Sequence, residues 1–230
     1  MISIVVPAYN EEKFIRKTVT NINKNFPRAE IIVVSGGSTD NTAGIVKNLQ
    51  KEIANLKFVE FEQRIGKGAA ILQGFKIAKG EIIGFIDADG AFKMKGVKKL
   101  ITVLNTGSAD CVIASKWKGI SFFHVKEKFL KKFASRIWNL LVKILFQLNF
   151  EDTQGGAKFL KRKVLKAIGT DFFCKGFETD VELLWRIKKR KYSIKEIFIS
   201  SSFRKESKFS MLDTIPMFLN ILKLRIRGIE

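Results

Sequence analysis

The sequence predicts an α/β fold, a mostly parallel, doubly wound sheet flanked by helices, and three observations carry that prediction. Short, near-continuous apolar runs recur at 2–6, 31–34, 57–61, 82–86 and 110–114, the pattern of strands buried on both faces. Between them lie stretches with apolar residues at helical spacing, so strand and helix alternate. Each run stops at polar turn residues, which puts these loops on one edge of the sheet, where open α/β sheets collect ligands.

Ile2-Ser-Ile-Val-Val6 leads through Pro7-Ala-Tyr-Asn-Glu-Glu12 into a helix over 13–23. After the second strand, Ser35-Gly-Gly-Ser-Thr-Asp-Asn-Thr42 supplies glycines for a tight turn. Ser38, Thr39 or Asp40 then serves as N-cap of a helix reaching 55. Arg64-Ile-Gly-Lys-Gly68 introduces a helix over 69–79. The fourth strand ends in two carboxylates one residue apart, Asp87 and Asp89, followed by Gly90. Two acids so placed can hold a hard divalent cation and, through it, a diphosphate. Asp-x-Asp-Gly also makes ordinary turns. A helix over 97–105 and the strand at 110–114 complete the alternation.

Past Ser115 the pattern changes. Residues 126–148 form one long helical stretch with Leu130, Phe133, Ile137, Leu141, Ile144, Leu145 and Leu148 at helical spacing. Its other positions hold Lys126, Lys128, Lys131, Lys132, Arg136 and Lys143 together with Trp138, Val142 and Phe146. A basic helix with so wide an apolar face suits a membrane interface, and equally a core helix with a solvated basic face. Asp152-Thr-Gln-Gly-Gly-Ala-Lys158 reads as a glycine-rich loop, followed by a helix over 178–191 and a strand over 194–200. Residues 211–229 are a second basic amphipathic segment, open to the same two readings.

At 230 residues and 46% hydrophobic content, with 21 Phe, the chain can build a substantial core as one domain. Its 42 basic against 22 acidic residues give +20, which implies an anionic partner: nucleic acid, a phospholipid surface or a phosphorylated substrate. Cys111 and Cys174 lack metal-ligand spacing and read as small core residues of a reduced protein. His124 is the single histidine, so no zinc site or His-based triad is expected. No signal peptide is expected, because Met1 runs straight into a strand. Lys143, Lys223, Arg225 and Arg227 break the longest apolar stretches, well short of the about 18 residues a spanning helix needs. Any membrane contact would therefore be peripheral.

Two phosphate-binding signatures are excluded. Ser35-Gly-Gly-Ser38 is not the G-x-G-x-x-G of dinucleotide sites, and Gly66-Lys67 is followed by Gly68 rather than the Ser or Thr of a P-loop. Four motifs in order, Val5-Val-Pro-Ala-Tyr-Asn-Glu-Glu12, Gly37-Ser-Thr-Asp-Asn-Thr42, Gly66-Lys-Gly-Ala-Ala70 and Asp87-Ala-Asp-Gly90, resemble those of family 2 glycosyltransferases with the GT-A fold. Asp152-Thr-Gln-Gly-Gly-Ala-Lys-Phe159, Phe177-Glu-Thr-Asp-Val-Glu-Leu-Leu184 and Glu206-Ser-Lys208 narrow the likeness to the dolichyl-phosphate glucose and mannose synthases. The Asp-Ala-Asp-Gly-Ala and Asp-Thr-Gln-x-Gly spellings are closer to the glucose branch.

The resemblance implies a Rossmann-like GT-A domain over 1–210, with a nucleotide-sugar half (1–115), an acceptor half (116–210) and a C-terminal amphipathic helix (211–230). It places Pro7, Tyr9 and Glu11 at the base and ribose, and Arg64 and Lys67 at the base or diphosphate. Asp87 would bind ribose or metal, and Asp89 the Mg2+ or Mn2+ that bridges the diphosphate and acts as a Lewis acid. Family members usually carry two acids where this chain has Ser35-Gly36, one of them reading the base, so Ser35 or a backbone group would have to substitute. Lys116, Lys131, Arg204, Ser207 and Lys208 correspond to positions that meet the acceptor phosphate, with Lys in place of the more usual Arg at the first two. Lysine offers a point charge rather than a bidentate fork. Asp152 and Asp180 are the remaining acids of interest.

The expected reaction is inverting transfer of a hexose from a UDP-glucose or GDP-mannose type donor to a polyprenyl (dolichyl) phosphate, at the cytoplasmic face of an anionic membrane. A phosphate with a second pKa of about 6 arrives already anionic and has little need of a general base. A sugar hydroxyl would need one, from Asp152 or Asp180. The alternatives are a family 2 transferase with a polysaccharide or other non-lipid acceptor, and more remotely a nucleic-acid binder. No nucleic-acid module is present, and nucleic acid is not the expected partner.

Overall fold

The computed structural model describes residues 1–119, 129–200 and 214–228, with side chains from 132 and from 215 in the second and third segments. Its strands are β1 (Ile2–Ala8), β2 (Glu30–Gly36), β3 (Leu56–Phe61), β4 (Ile82–Ile86), β5 (Cys111–Ser115), β6 (Ala157–Lys161) and β7 (Ile194–Phe198). Its helices are α1 (Ile15–Asn25), α2 (Thr42–Glu52), α3 (Lys67–Ile77), α4 (Met94–Asn105), α5 (Phe129–Phe146), α6 (Arg162–Ile168), α7 (Thr179–Lys189) and α8 (Thr214–Arg227). The strands form one seven-stranded sheet in the order β3-β2-β1-β4-β6-β5-β7. All neighbouring pairs are parallel except those of β6, which runs antiparallel to both β4 and β5.

Side chains alternate across this sheet with the strand period of two. Val5, Ile32, Val34, Ile83 and Phe85 face α3, α5, α6, α7 and α8 in one core. Ile4, Val6, Ile31, Val33 and Ile86 face α1, α2 and α4 in the other. Both faces are covered, which is why these strands read as unbroken apolar runs.

The expected elements are present with shifted ends. β1 runs two residues further, with Pro7 paired to Val34 and Ala8 to Ser35 closing the ladder. α2 starts later than expected, at Thr42, and Asp40 Oδ1 accepts its backbone N–H at 3.0 Å, so Asp40 caps the first turn from just outside the helix.

Two elements differ from expectation: the last two residues of the predicted glycine-rich loop open β6, and α6 follows it directly. Lys158, buried as the second residue of so short a strand, hid its period. Reversal of β6 also corrects the rule that site loops follow strands. Residues 152–156 precede their strand, yet the pairing Ile86–Ala157 puts them beside the end of β4.

The two basic helices present apolar residues on two sides. In α5, Trp138, Val142 and Phe146 are buried, whereas Phe133, Ile137, Leu140 and Ile144 are exposed. The face read first from the sequence is thus largely the outward one. In α8, Met217, Ile221 and Leu224 join the same core, leaving Ile215, Leu219 and Ile226 exposed. Arg225 Nε ties α8 to α5 by donating to Leu145 O at 2.8 Å. No helix among the described residues is long and apolar enough to cross a membrane.

At the edge away from the site, Asp110 Oδ1 pairs with Lys163 at 2.9 Å, and Oδ2 accepts from Ser193 Oγ at 2.9 Å. Burial alone would raise this carboxyl, but Lys163 and Ser193 outweigh it and bring the pKa to about 2.

Candidate active site

The carboxyl ends of β1, β2, β4 and β5 and the start of β6 meet at one edge, and the loops there are fastened to one another. Asn10, with φ 55°, accepts the Thr39 N–H on Oδ1 at 2.7 Å, while Glu11 N donates to Thr42 Oγ1 at 2.7 Å. Glu12 N donates to Asp40 Oδ2 at 3.1 Å, and Asn41 N donates back to Glu12 Oε2 at 3.1 Å. Pro7, Tyr9 and Glu11 therefore sit on a loop whose shape the β2–α2 loop sets. The Arg64 guanidinium lies 4.8 Å from the Tyr9 ring centroid, so these two expected donor-site residues meet.

Ser35 is buried and donates through Oγ to Ser38 Oγ at 2.9 Å, which also accepts Asn10 N at 3.1 Å. A side chain at Gly36 would meet Ile65 Cγ1 at 3.2 Å. Ser35 thus backs Ser38 instead of presenting its own hydroxyl, and apolar Ile65 lies beside Gly36.

Asp87 occupies the centre. Lys67, the first residue of α3, places Nζ 2.7 Å from Asp87 Oδ1. The pair is ionic and poorly directed, since Oδ1 is buried and accepts no well-formed hydrogen bond. Burial raises the Asp87 carboxyl; Lys67 offsets part of this, and the neighbouring Asp89 adds to the rise. For Lys67, burial would lower the pKa, but Asp87, Asp180 and Asp89 outweigh it and hold the ammonium above its usual range. Asp89 Oδ1 accepts the Ala91 N–H at 2.9 Å, so the Asp-Ala-Asp-Gly segment makes a side-chain-closed turn as well as presenting two acids.

Among the described residues no three His, Cys, Asp or Glu side chains group as a metal cage. Two carboxylates one residue apart at a strand end, Asp87 and Asp89, fit Mg2+ or Mn2+, which take one or two acids and leave the rest of the shell to phosphate and water.

α3 and α7 bring their N-termini to the same place. A Cβ at Gly68 would stand 1.7 Å from Thr179 Oγ1, so only glycine permits the two helix starts to touch. The positive dipole end of α3 points to this edge, while that of α7 is already met by the buried acids Glu178, Asp180 and Glu182.

Asp152 and Asp180 lie beneath this surface, each 4% exposed. Asp152 Oδ2 accepts Lys116 N and Oδ1 accepts Gln154 N, both at 3.2 Å. Burial raises its carboxyl, against the pull of Lys116 and Lys158. Asp180 Oδ1 accepts from Lys158 Nζ at 2.8 Å. Lys158 itself is fully buried, on β6, and was singled out by no sequence argument. A lysine between Ala157 and Phe159 in an apolar strand was the one available signal. Lys116 sits beside Asp152. The Lys131 side chain and Arg204, Ser207 and Lys208 lie outside the described residues.

A mostly parallel sheet carries a carboxylate pair, a lysine and the start of α3 at its carboxyl edge. Residues 3–169 match the family described as Glycosyl transferase family 2, and the chain belongs to that family. A dolichyl-phosphate beta-glucosyltransferase of Saccharomyces cerevisiae is 31% identical over 247 residues, covering 98% of this chain and 74% of the relative. One from Trichomonas vaginalis is 28% identical, covering 98% and 73%.

Among solved structures, a mannosyltransferase from Pyrobaculum calidifontis in complex with GDP-Man and Mn2+ superposes with a TM-score of 0.69 at 20% identity. It covers all of this chain, which spans 65% of that protein. Glucosyl-3-phosphoglycerate synthase from Mycobacterium tuberculosis, with Mn2+, UDP and phosphoglyceric acid, gives 0.73 at 22% identity, covering 100% of this chain and 79% of its own. These likenesses show the GT-A fold, and the chain is a glycosyltransferase.

Proposed function

We propose that this enzyme transfers a hexose, glucose first among the candidates, from a nucleoside diphosphate sugar to a polyprenyl phosphate of the dolichyl type, with inversion at C1. Relatives across nearly the whole chain are dolichyl-phosphate beta-glucosyltransferases. The observation that carries the choice of acceptor is the state of the two remaining acids. Asp152 and Asp180 are both buried, one held by backbone N–H groups and the other by Lys158. Neither is presented to take a proton from an incoming hydroxyl, as a general base must be. A phosphate monoester needs no such base, because near neutral pH it is already an anion.

In this reading a phosphate oxygen attacks C1 from the side opposite the diphosphate. The new C–O bond forms as the old one breaks, and the bonding pair leaves on the nucleoside diphosphate. Tyr9 and Arg64 hold the nucleoside end, and Lys67 with the start of α3 draws the diphosphate toward the sheet. Asp87 and Asp89 would hold Mg2+ or Mn2+, which neutralises charge on the leaving group. Lys116, Lys131, Arg204, Ser207 and Lys208 would receive the acceptor phosphate, lowering the repulsion between two anionic substrates. The outward apolar residues of α5 and α8, among basic ones, would rest on an anionic membrane surface at its cytoplasmic face.

The test is transfer of label from UDP- and GDP-sugars to dolichyl phosphate, with Mn2+ or Mg2+, by wild type and Asp89→Ala. Chloroform-soluble label, dependent on metal and at least 100-fold lower in the variant, is expected. Metal-dependent donor hydrolysis without lipid product would overturn the acceptor assignment.

A further inference from the structure

Lys158 is the residue of this molecule whose burial most needs a reason. An ammonium with no solvent exposure is costly unless its donors are met. Nζ donates to Asp180 Oδ1 and to Gly155 O, both at 2.8 Å, and lies 5.3 Å from the centroid of the Phe85 ring. Lys67 Nζ lies 5.5 Å from the same ring. Phe85, on β4, is thus shared by two lysines, one paired with Asp87 and the other with Asp180.

The contact with Gly155 leads to the reacting edge. A Cβ at Gly155 would come within 1.9 Å of Ala114 O, and one at Gly156 within 2.2 Å of Asp87 Oδ2. Gly156 O accepts the Asp87 N–H at 2.8 Å. The Gly155–Gly156 turn is therefore wedged between β5 and Asp87, touching both the main chain and the carboxylate of Asp87. Lys158 grips that turn from below and ties it to α7. Its ammonium links the piece of chain that supports Asp87 to the helix whose start touches that of α3.

We propose that Lys158 is a positioning residue for the donor site, setting the orientation of the Asp87 carboxylate through the Gly155–Gly156 turn and Asp180. This rests on the reading above in which Asp87 meets the metal and diphosphate of the donor. A lysine that merely filled the core would affect stability alone. A positioning lysine also sets how well Asp87 serves its ligands.

The experiment is calorimetric titration of Mn2+ with UDP into the full chain, alongside thermal unfolding. The variants are Lys158→Met, Gly156→Ala and Glu182→Gln. Glu182 is a buried control on the same helix, accepting from Phe173 N, Cys174 N and Arg186 rather than from Lys158 or the Gly155–Gly156 turn. Lys158→Met is expected to weaken Mn2+–UDP binding about tenfold or more, and Glu182→Gln to lower Tm while binding as wild type does. Gly156→Ala, which removes no charge but pushes on the Asp87 carboxylate, is expected to weaken binding by disturbing the turn without touching Lys158. If Lys158→Met does not fold, Lys158→Gln, which keeps a donor at this position, takes its place with the same expected loss of binding. Wild-type binding in Gly156→Ala or in the folded Lys158 variant, or an equal loss in Glu182→Gln, overturns the inference. Failure of wild type itself to bind Mn2+ with UDP, and with GDP in its place, would instead overturn the donor-site reading.

Discussion

Replacing Asp180 by Asn leaves the shape of the side chain and removes its charge, so it isolates what the anion does for a lysine that water cannot reach. The ion pair spans 2.8 Å, with Lys158 fully buried and Asp180 4% exposed. Breaking a buried pair by removing one partner costs about 3–5 kcal/mol. Asn keeps an acceptor for Nζ, which places Asp180→Asn near about 3 kcal/mol. Lys158→Met strands the carboxylate and Gly155 O, and belongs at the upper end of the range. The double variant leaves only neutral groups and recovers most of the charge penalty, for a coupling of about 3 kcal/mol. The assay is urea unfolding of all four proteins at pH 7. With a slope of about 2–3 kcal/mol per molar, each single variant should lower the midpoint by about 1–2 M. Single losses that simply add, within about 0.5 kcal/mol, would refute the claim that the two charges compensate each other.

Two other expectations follow from groups away from the donor edge. Asp110, held at about 2 against 3.8 for the free group, stabilises the fold above the unfolded pKa, and that contribution disappears as pH falls from about 4 through about 2. The shift corresponds to about 2 kcal/mol at most, and nearer 1 because the Lys163 partner is exposed. Asp110→Asn should therefore lower Tm by a few degrees at pH 7 and by nothing near pH 2, as scanning calorimetry would show; a constant difference at both pH values would contradict the assignment. Ile137→Ser with Ile144→Ser alters only exposed side chains. It should leave Tm within a degree or two while reducing flotation with anionic vesicles several-fold, and unchanged flotation would remove α5 from the membrane contact.

The nucleotide-side half of the fold was legible because its strands are covered on both faces and its helices are regularly spaced. Strand-end logic singled out Asp87 and Asp89 as candidates, since they follow β4 directly, whereas Tyr9, Arg64 and Lys67 came from the motif resemblance. Lys158 was hidden for the opposite reason. Its partners are a carboxylate 22 residues on and a carbonyl of an irregular turn, and nothing in a sequence window shows that β6 is reversed. α5 shows a different limit. With apolar residues on most of its circumference, periodicity identifies a helix but not which side meets the core. Trp138, Val142 and Phe146 were as available to the core as Phe133, Ile137 and Ile144, and packing decided in favour of the first set.

The reversed strand also governs the order in which the chain can close. β1 to β4 can assemble as soon as residue 86 is available, because the β2–β3, β1–β2 and β1–β4 pairings all lie within the first 86 residues. β5 cannot then extend the sheet, since the place beside β4 belongs to a strand that comes 46 residues later than Cys111. Until β6 arrives, the edge of β4 shows unpaired N–H and C=O groups next to Phe85, Asp87 and Asp89, a template for wrong pairing. β5 and β7 wait on the same event. The strand that finishes the active site is thereby also the one that seals the sheet, so a half-made chain is exposed at its centre rather than at its rim.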